Sequence, residues 1–139
     1  DHEQHDEFTV DLYFNRDSKL KCVVPRKRLQ VRGGEVAKAL TEKNEIIPEL
    51  YDALAYLPGA IGCLTFQLFR HRLKNEHWYI EINPRFGGGY PLSRLAGADF
   101  QAYLIREYLF GEDIAQFSEW RENTLMLRYD AEVIKESCS

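Results

Sequence analysis

Three segments of the chain alternate apolar and polar residues, and this pattern constrains the fold more than any other feature. They cover residues 7–14, 62–70 and 77–83. In the first segment, EFTVDLYF, the apolar residues on one face are Phe8, Val10, Leu12 and Phe14. A period of two with aromatic and β-branched residues is typical of strands that bury one face. The segments therefore predict a sheet.

Turn and helix signals between these segments give the expected order of elements. The further elements are a strand at 19–28, a helix at about 44–57, helices near 91–96 and 99–110, and a last strand at about 123–135. Pro48 falls in the first turn of the first helix, where a missing N–H is tolerated, and Gly111 closes the third. The order β-β-α-β-β-α-α-β predicts an α+β fold, with an antiparallel sheet and helices packed on one face.

Composition limits the size and the partners of the protein. A length of 139 residues fits one domain, residues 1–139. The net charge of −4 offers no basic face for nucleic acid, and no apolar stretch approaches the ~20 residues of a membrane span. The chain has an odd number of cysteines, Cys22, Cys63 and Cys138, and they lack metal-ligand spacing. This pattern is typical of reduced thiols in a cytoplasmic protein.

The last two alternating segments are joined by a short polar loop and are expected to pair as a hairpin. This pairing places Gln67 opposite Glu81 and Thr65 opposite Asn83, with Cβ atoms about 4.5–5.5 Å apart. The alternation also places Tyr79 on the face of Glu81 and Asn83. Carboxylate and amide oxygens are ligands that suit Mg²⁺. The alternative is the polar, solvent-facing side of a half-exposed sheet.

A glycine-rich segment follows this hairpin. Arg85 comes two residues after Asn83, and Gly87, Gly88 and Gly89 are consecutive. An arginine and a glycine loop can bring a guanidinium and backbone N–H groups to a phosphate. The alternative is a tight loop that needs positive φ angles. The segment fits neither the P-loop pattern nor the dinucleotide-binding glycine pattern.

Together these segments resemble the signature of the ATP-grasp superfamily. EINPRFGGGYPLSRLAGADF is similar to the branch that contains the large subunit of carbamoyl phosphate synthase. EFTVDLYF, RKRLQVRGGE and the 14-residue interval from Gln67 to Glu81 also match that branch, so the resemblance covers about residues 7–130. It implies the C-terminal half of an ATP-grasp fold from an ATP-dependent carboxylate ligase. Such ligases form an acyl phosphate that an amine attacks, with ATP and Mg²⁺ or Mn²⁺ as cofactors.

The resemblance also implies roles for individual residues. Glu81 and Asn83 match the metal-ligand pair, and Gln67 matches the upstream ligand of the ions that bridge the ATP phosphates. Arg85 matches the arginine that contacts the transferring phosphoryl group. Glu7 matches an acidic residue that hydrogen-bonds the ribose.

The basic segment Arg26–Arg32 aligns loosely with the part of the family that reaches phosphates or the acyl substrate. Arg32, just before Gly33 and Gly34, is the residue that we expect to contact a phosphate. The alternative is a solvated basic connection.

The chain departs from the family in its extent. The resemblance implies a full fold that encloses the nucleotide between two subdomains, and we expect that the first, with its phosphate-binding lysines, is missing from this chain. We therefore expect the isolated chain to bind ATP weakly and to have little ligase activity on a small carboxylate. Exposed sheet edges favour a homo-oligomer. The alternative function is a non-catalytic binding or assembly module. The presence of Gln67, Glu81, Asn83 and Arg85 together favours the enzyme lineage.

Overall fold

A computed structural model describes residues 4–32, 35–129 and 131–135, without the side chains of residues 31, 32, 35 and 36. The described elements are β1 (His5–Phe14), β2 (Leu20–Arg32), β3 (Glu35–Thr41), α1 (Ile46–Leu54), β4 (Gly62–His71), β5 (His77–Asn83), α2 (Tyr90–Leu95), α3 (Phe100–Phe110) and β6 (Leu125–Leu127). The strands form one sheet in the order β5-β4-β1-β2-β3-β6, with antiparallel pairing throughout. The expected α+β class and antiparallel sheet are confirmed.

The basic segment is a strand rather than a connection. β2 continues to Arg32, and its last residues pair with β3, a strand that the sequence did not predict. The strand continues because two of its arginines face carboxylates on β1. Arg26 pairs with Asp11, and Arg28 pairs with Glu7. Residues that look like a solvated run are therefore part of the sheet.

The last strand is much shorter than expected. Only Leu125–Leu127 pair with β3, and residues 131–135 form no strand. Leu125 and Leu127 are 51% and 61% exposed. The pairing is short because this edge buries little apolar surface.

The helices lie on both faces of the sheet, so the expectation of one covered face is wrong. Successive residues of a strand point to opposite faces. Phe8, Val10, Leu12 and Phe14 of β1 form one buried cluster with Ile46 and Leu50 of α1. Tyr13, between Leu12 and Phe14, belongs to a second cluster with Tyr90 of α2 and Phe100 and Tyr103 of α3. α1 therefore covers one face, and α2 and α3 cover the other.

The three helices begin and end close to the expected positions. The side chain of Asp99 caps α3 by accepting a hydrogen bond from the Ala102 N–H at 3.1 Å. Gly111 ends the helix with a φ of 64°, a left-handed conformation that glycine adopts at no steric cost. No helix in the described part of the chain is long and apolar enough to cross a membrane.

An ion-pair network joins β1, β2 and β4 on the α1 side. Asp6 is 6% exposed and lies 3.0 Å from each of three basic groups, on Lys27, Arg70 and Arg72. Burial raises the pKa of Asp6, but the hydrogen bonds from these three side chains outweigh it and hold the pKa below its ordinary value. The charged carboxylate is thus the form that the fold stabilises.

We expect Asp6→Asn to lower the free energy of unfolding by about 1.5–3 kcal/mol at pH 6, because the charged hydrogen bonds are lost. The folded-state pKa is lowered, so this contribution is present above the unfolded pKa of about 3.9 and is lost as pH falls through the folded value. Urea denaturation of both proteins between pH 6 and pH 2.5 measures the difference. A difference in the free energy of unfolding that stays constant over that pH range would contradict the lowered pKa of Asp6.

Candidate functional site

On the sheet face that α2 and α3 cover, the strands near β5 carry polar side chains. Thr9 and Asp11 of β1 pair with Gln67 and Thr65 of β4, and Thr9 also pairs with Arg26 of β2. Their side chains share one face because residues opposite each other in register point the same way. This face forms the floor of the candidate site.

The β4–β5 hairpin has the register that the sequence predicts at its site end. Gln67 pairs with Glu81, and Thr65 pairs with Asn83. Beyond this point Leu68 pairs with Tyr79, so Ile80 is an extra residue on β5 and forms a bulge. The prediction that Tyr79 shares the face of Glu81 is therefore wrong. Its hydroxyl instead donates to Glu49 of α1 at 2.7 Å, on the opposite face.

The three expected metal ligands lie side by side on neighbouring strands. Asn83 Nδ2 donates to Glu81 Oε1 at 3.0 Å, which leaves Asn83 Oδ1 and Glu81 Oε2 as further acceptors. Gln67 is half-buried beside them, and Glu81 is exposed. The described residues contain no group of three or more His, Cys, Asp or Glu side chains that could hold a metal ion. A metal here would depend on one carboxylate and on amide oxygens.

The glycine loop, residues 87–89, lies over the floor of the candidate site and closes that side. The Thr65 hydroxyl donates to the Arg85 carbonyl at 2.7 Å, and the Tyr90 N–H donates to the Gly87 carbonyl at 3.0 Å. Loop and sheet enclose a cavity of about 480 Å³. Its lining residues are Thr9, Arg26, Arg28, Thr65, Gln67, Asn83, Arg85, Phe86, Gly87, Gly88, Gly89 and Arg128.

Two arginines of the basic segment line this cavity, and they are not the one that we expected. Arg26 is buried against Asp11. Arg28 hydrogen-bonds Glu7, and its Nε is buried without a hydrogen-bond partner. The side chain of Arg32, the expected phosphate contact, lies outside the described part of the structure. The alternation of β2 continued through residues 26 and 28 was the signal that could have found both.

Arg128 is a further cavity residue that the sequence did not single out. It follows β6, and its Nη2 donates to the Gly88 carbonyl at 2.6 Å. No local sequence pattern marks it, because it lies 40 positions after Gly88, the residue that it contacts. Glu7 lies on the same strand face as Thr9 and Asp11, and its carboxylate bonds Arg28 at the rim of the floor.

The family is decided by a match over nearly the whole chain. Residues 3–131 match the family described as ATP-grasp in the biosynthetic pathway with Ter operon. The chain belongs to this ATP-grasp family. The expected superfamily is confirmed, and the matched branch is the Ter one. Among curated proteins none matches the sequence.

Solved structures of several carboxylases show the same fold. Pyruvate carboxylase of Rhizobium etli matches with a TM-score of 0.60 and 14% identity over 88% of this chain and 14% of that one. Urea carboxylase of Kluyveromyces lactis gives 0.64 and 13% over 87% and 11%. The biotin carboxylase–β,γ-ATP complex of Campylobacter jejuni gives 0.61 and 14% over 88% and 29%. This ATP-grasp chain therefore spans less than a third of the length of each.

Proposed function

We propose that this ATP-grasp chain supplies the metal- and phosphate-binding part of the active site of an ATP-dependent carboxylate ligase. The observation that carries the proposal is the cavity itself. One wall holds Gln67 and Asn83, and Glu81 lies beside that wall, where it accepts a hydrogen bond from Asn83 at 3.0 Å. The floor holds Arg28, whose buried Nε has no partner. A buried donor without a partner is costly, and an anionic oxygen would satisfy it.

The donor set fits a hard divalent cation. Mg²⁺ binds proteins through one or two carboxylates and takes its remaining ligands from water and phosphate oxygens. Glu81 would supply the carboxylate, with the free amide oxygens of Gln67 and Asn83 beside it. A bound Mg²⁺ or Mn²⁺ would neutralise the charge that develops when a phosphoryl group is transferred.

The remaining residues would act on the phosphates and the ribose. The exposed side chain of Arg85 lies at the mouth of the cavity, and its Nη1 donates to the neighbouring Phe86 carbonyl at 3.3 Å. It is the group that we assign to the transferring phosphoryl group, where a guanidinium binds two oxygens at once. Glu7 is assigned to the ribose, and Arg32 remains a proposed phosphate contact.

The solved relatives support this choice of ligands. One was determined as a biotin carboxylase complex with β,γ-ATP, and another as a biotin carboxylase domain bound to bicarbonate. A nucleotide and a small carboxylate-like anion are therefore the ligand classes that we propose for this fold. The likeness to the carbamoyl phosphate synthase branch remains a prediction about the motif.

Mn²⁺ tests the metal site directly, because a bound Mn²⁺ ion broadens the NMR signals of nearby amides even when it binds weakly. In the presence of ATP we expect broadening at residues 67, 81, 83 and 85–89. Glu81→Gln removes the only carboxylate of the set, and we expect it to weaken Mn²⁺ binding about tenfold or more. Glu119→Gln, an exposed carboxylate outside the cavity, is the matched control.

Two outcomes would contradict the proposal. Broadening centred on another acidic cluster, such as Glu45 and Glu49 of α1, would place the ion elsewhere. Equal Mn²⁺ affinity in Glu81→Gln and Glu119→Gln would show that Glu81 is not a ligand.

A further inference from the structure

A buried ion pair lies directly beneath the glycine loop, and the proposed function gives it no role. Asp11 and Arg26 are 0% and 1% exposed. Arg26 Nε and Nη2 donate to the two carboxylate oxygens at 2.7 and 3.1 Å. Ser93 of α2, which is also fully buried, donates its hydroxyl to Asp11 Oδ2 at 2.5 Å. The pair is thus held from both the sheet and the helix that follows the loop.

This arrangement restricts the position of the guanidinium. A two-point arginine–carboxylate contact has one favoured planar geometry, unlike the single contact of a lysine. Burial of such a pair adds little net stability, because desolvation of both charges offsets their attraction. We therefore expect the pair to matter for the position of the guanidinium and for its contacts, rather than for net stability.

What it touches is the glycine loop. A Cβ atom built on Gly89 would lie 2.0 Å from Arg26 Nη1, and one built on Gly87 would lie 3.3 Å from Nη2. A Cβ on Gly88 would meet nothing within 4 Å. Gly89 has a φ of −91°, which any residue adopts, so the requirement for glycine comes from contact and not from backbone conformation.

We propose that the Asp11–Arg26 pair, fixed by Ser93, is a positioning device that sets the height of the glycine loop above the cavity. Arg26 is then a positioning residue, because it acts through the loop backbone. The inference rests on the proposed function for what the loop binds, but the contact itself exists without a ligand. The close approach of residues 87–89 to the floor would bring loop and metal ligands to one phosphate chain.

Gly89→Ala and Gly88→Ala form a matched pair that tests the contact. The readout is hydrogen exchange of the Tyr90 amide, whose bond to the Gly87 carbonyl closes the loop. We expect Gly89→Ala to speed this exchange by roughly tenfold, with amides of β1 unchanged, since local openings differ in free energy from global unfolding. We expect Gly88→Ala to leave it within about twofold. Equal exchange in the two variants would overturn the proposal.

A second substitution separates positioning from general damage. Arg26→Lys removes Nη1, so Gly89→Ala combined with Arg26→Lys should recover most of the lost Tyr90 protection. An additive loss in the double variant would also overturn the proposal. If Gly89→Ala fails to fold, Ser93→Ala replaces it, with an expected rise in Tyr90 exchange of about threefold, and no rise would count against the proposal.

The ligand readout distinguishes this inference from the proposed function. In Gly89→Ala we expect Mn²⁺ alone still to broaden Glu81 and Asn83, while added ATP no longer broadens residues 87–89. If the parent protein shows no Mn²⁺–ATP effect, the proposed function fails, whereas the exchange results still decide the positioning role.

Discussion

Replacing Asp11 by alanine is expected to lower the free energy of unfolding by about 3–5 kcal/mol. The substitution leaves Arg26, which is 1% exposed, as a buried charge without its carboxylate. It also removes the acceptor of the Ser93 hydroxyl. Urea denaturation monitored by circular dichroism measures the loss. Asp113→Ala is the matched control, because it breaks a more exposed pair, with Arg16 at 2.8 Å, and should cost about 0–1 kcal/mol.

Removal of both charges should behave differently from removal of one. Asp11→Leu combined with Arg26→Met replaces the pair by apolar side chains of similar volume, which is often neutral for stability. We expect the double variant to recover most of the stability that Asp11→Ala loses. Losses of less than 1 kcal/mol in Asp11→Ala, or an additive loss in the double variant, would contradict this account of the pair.

The site hairpin could be predicted from sequence because its signals are local. Alternation in both strands and a short polar loop set which residues pair, so Gln67 meets Glu81 as expected. The bulge at Ile80 could not be predicted in this way. It turns Tyr79 towards Phe66 and Glu49, and these contacts come from β4 and α1.

The basic segment shows where prediction from local sequence fails. Arg26 and Arg28 point into the molecule only because their guanidinium groups form ion pairs with Asp11 and Glu7 of β1. A segment with four basic residues among seven is locally indistinguishable from a solvated connection, and β3 was therefore not predicted from the sequence either. The pairing of β1 with β2 therefore determines which arginines enter the site. The position of Arg128 depends in the same way on the pairing at the β6 edge of the sheet.

Phe100→Ala is expected to lower the free energy of unfolding by about 3–5 kcal/mol. The ring of Phe100 is 0% exposed, and its centroid lies 5.4 Å from that of Tyr13 and 5.3 Å from that of Tyr90. Aromatic contacts at such distances add to the apolar area that the ring buries. The Phe100 N–H also donates to the Tyr90 hydroxyl at 2.7 Å, so α3 is joined to the residue that begins α2.

Phe110→Ala is the matched control, because it deletes the same side chain from the last residue of the same helix. Phe110 is 70% exposed, and its loss should change the free energy of unfolding by no more than about 0.5 kcal/mol. Sequence alone does not separate these two phenylalanines of α3. Urea denaturation of both variants does, and equal losses would show that the second cluster is not a packed core. Because Phe100 packs against Tyr90, which directly follows the glycine loop, a loss confined to Phe100→Ala would show that the buried cluster beside the loop contributes to the stability of the fold.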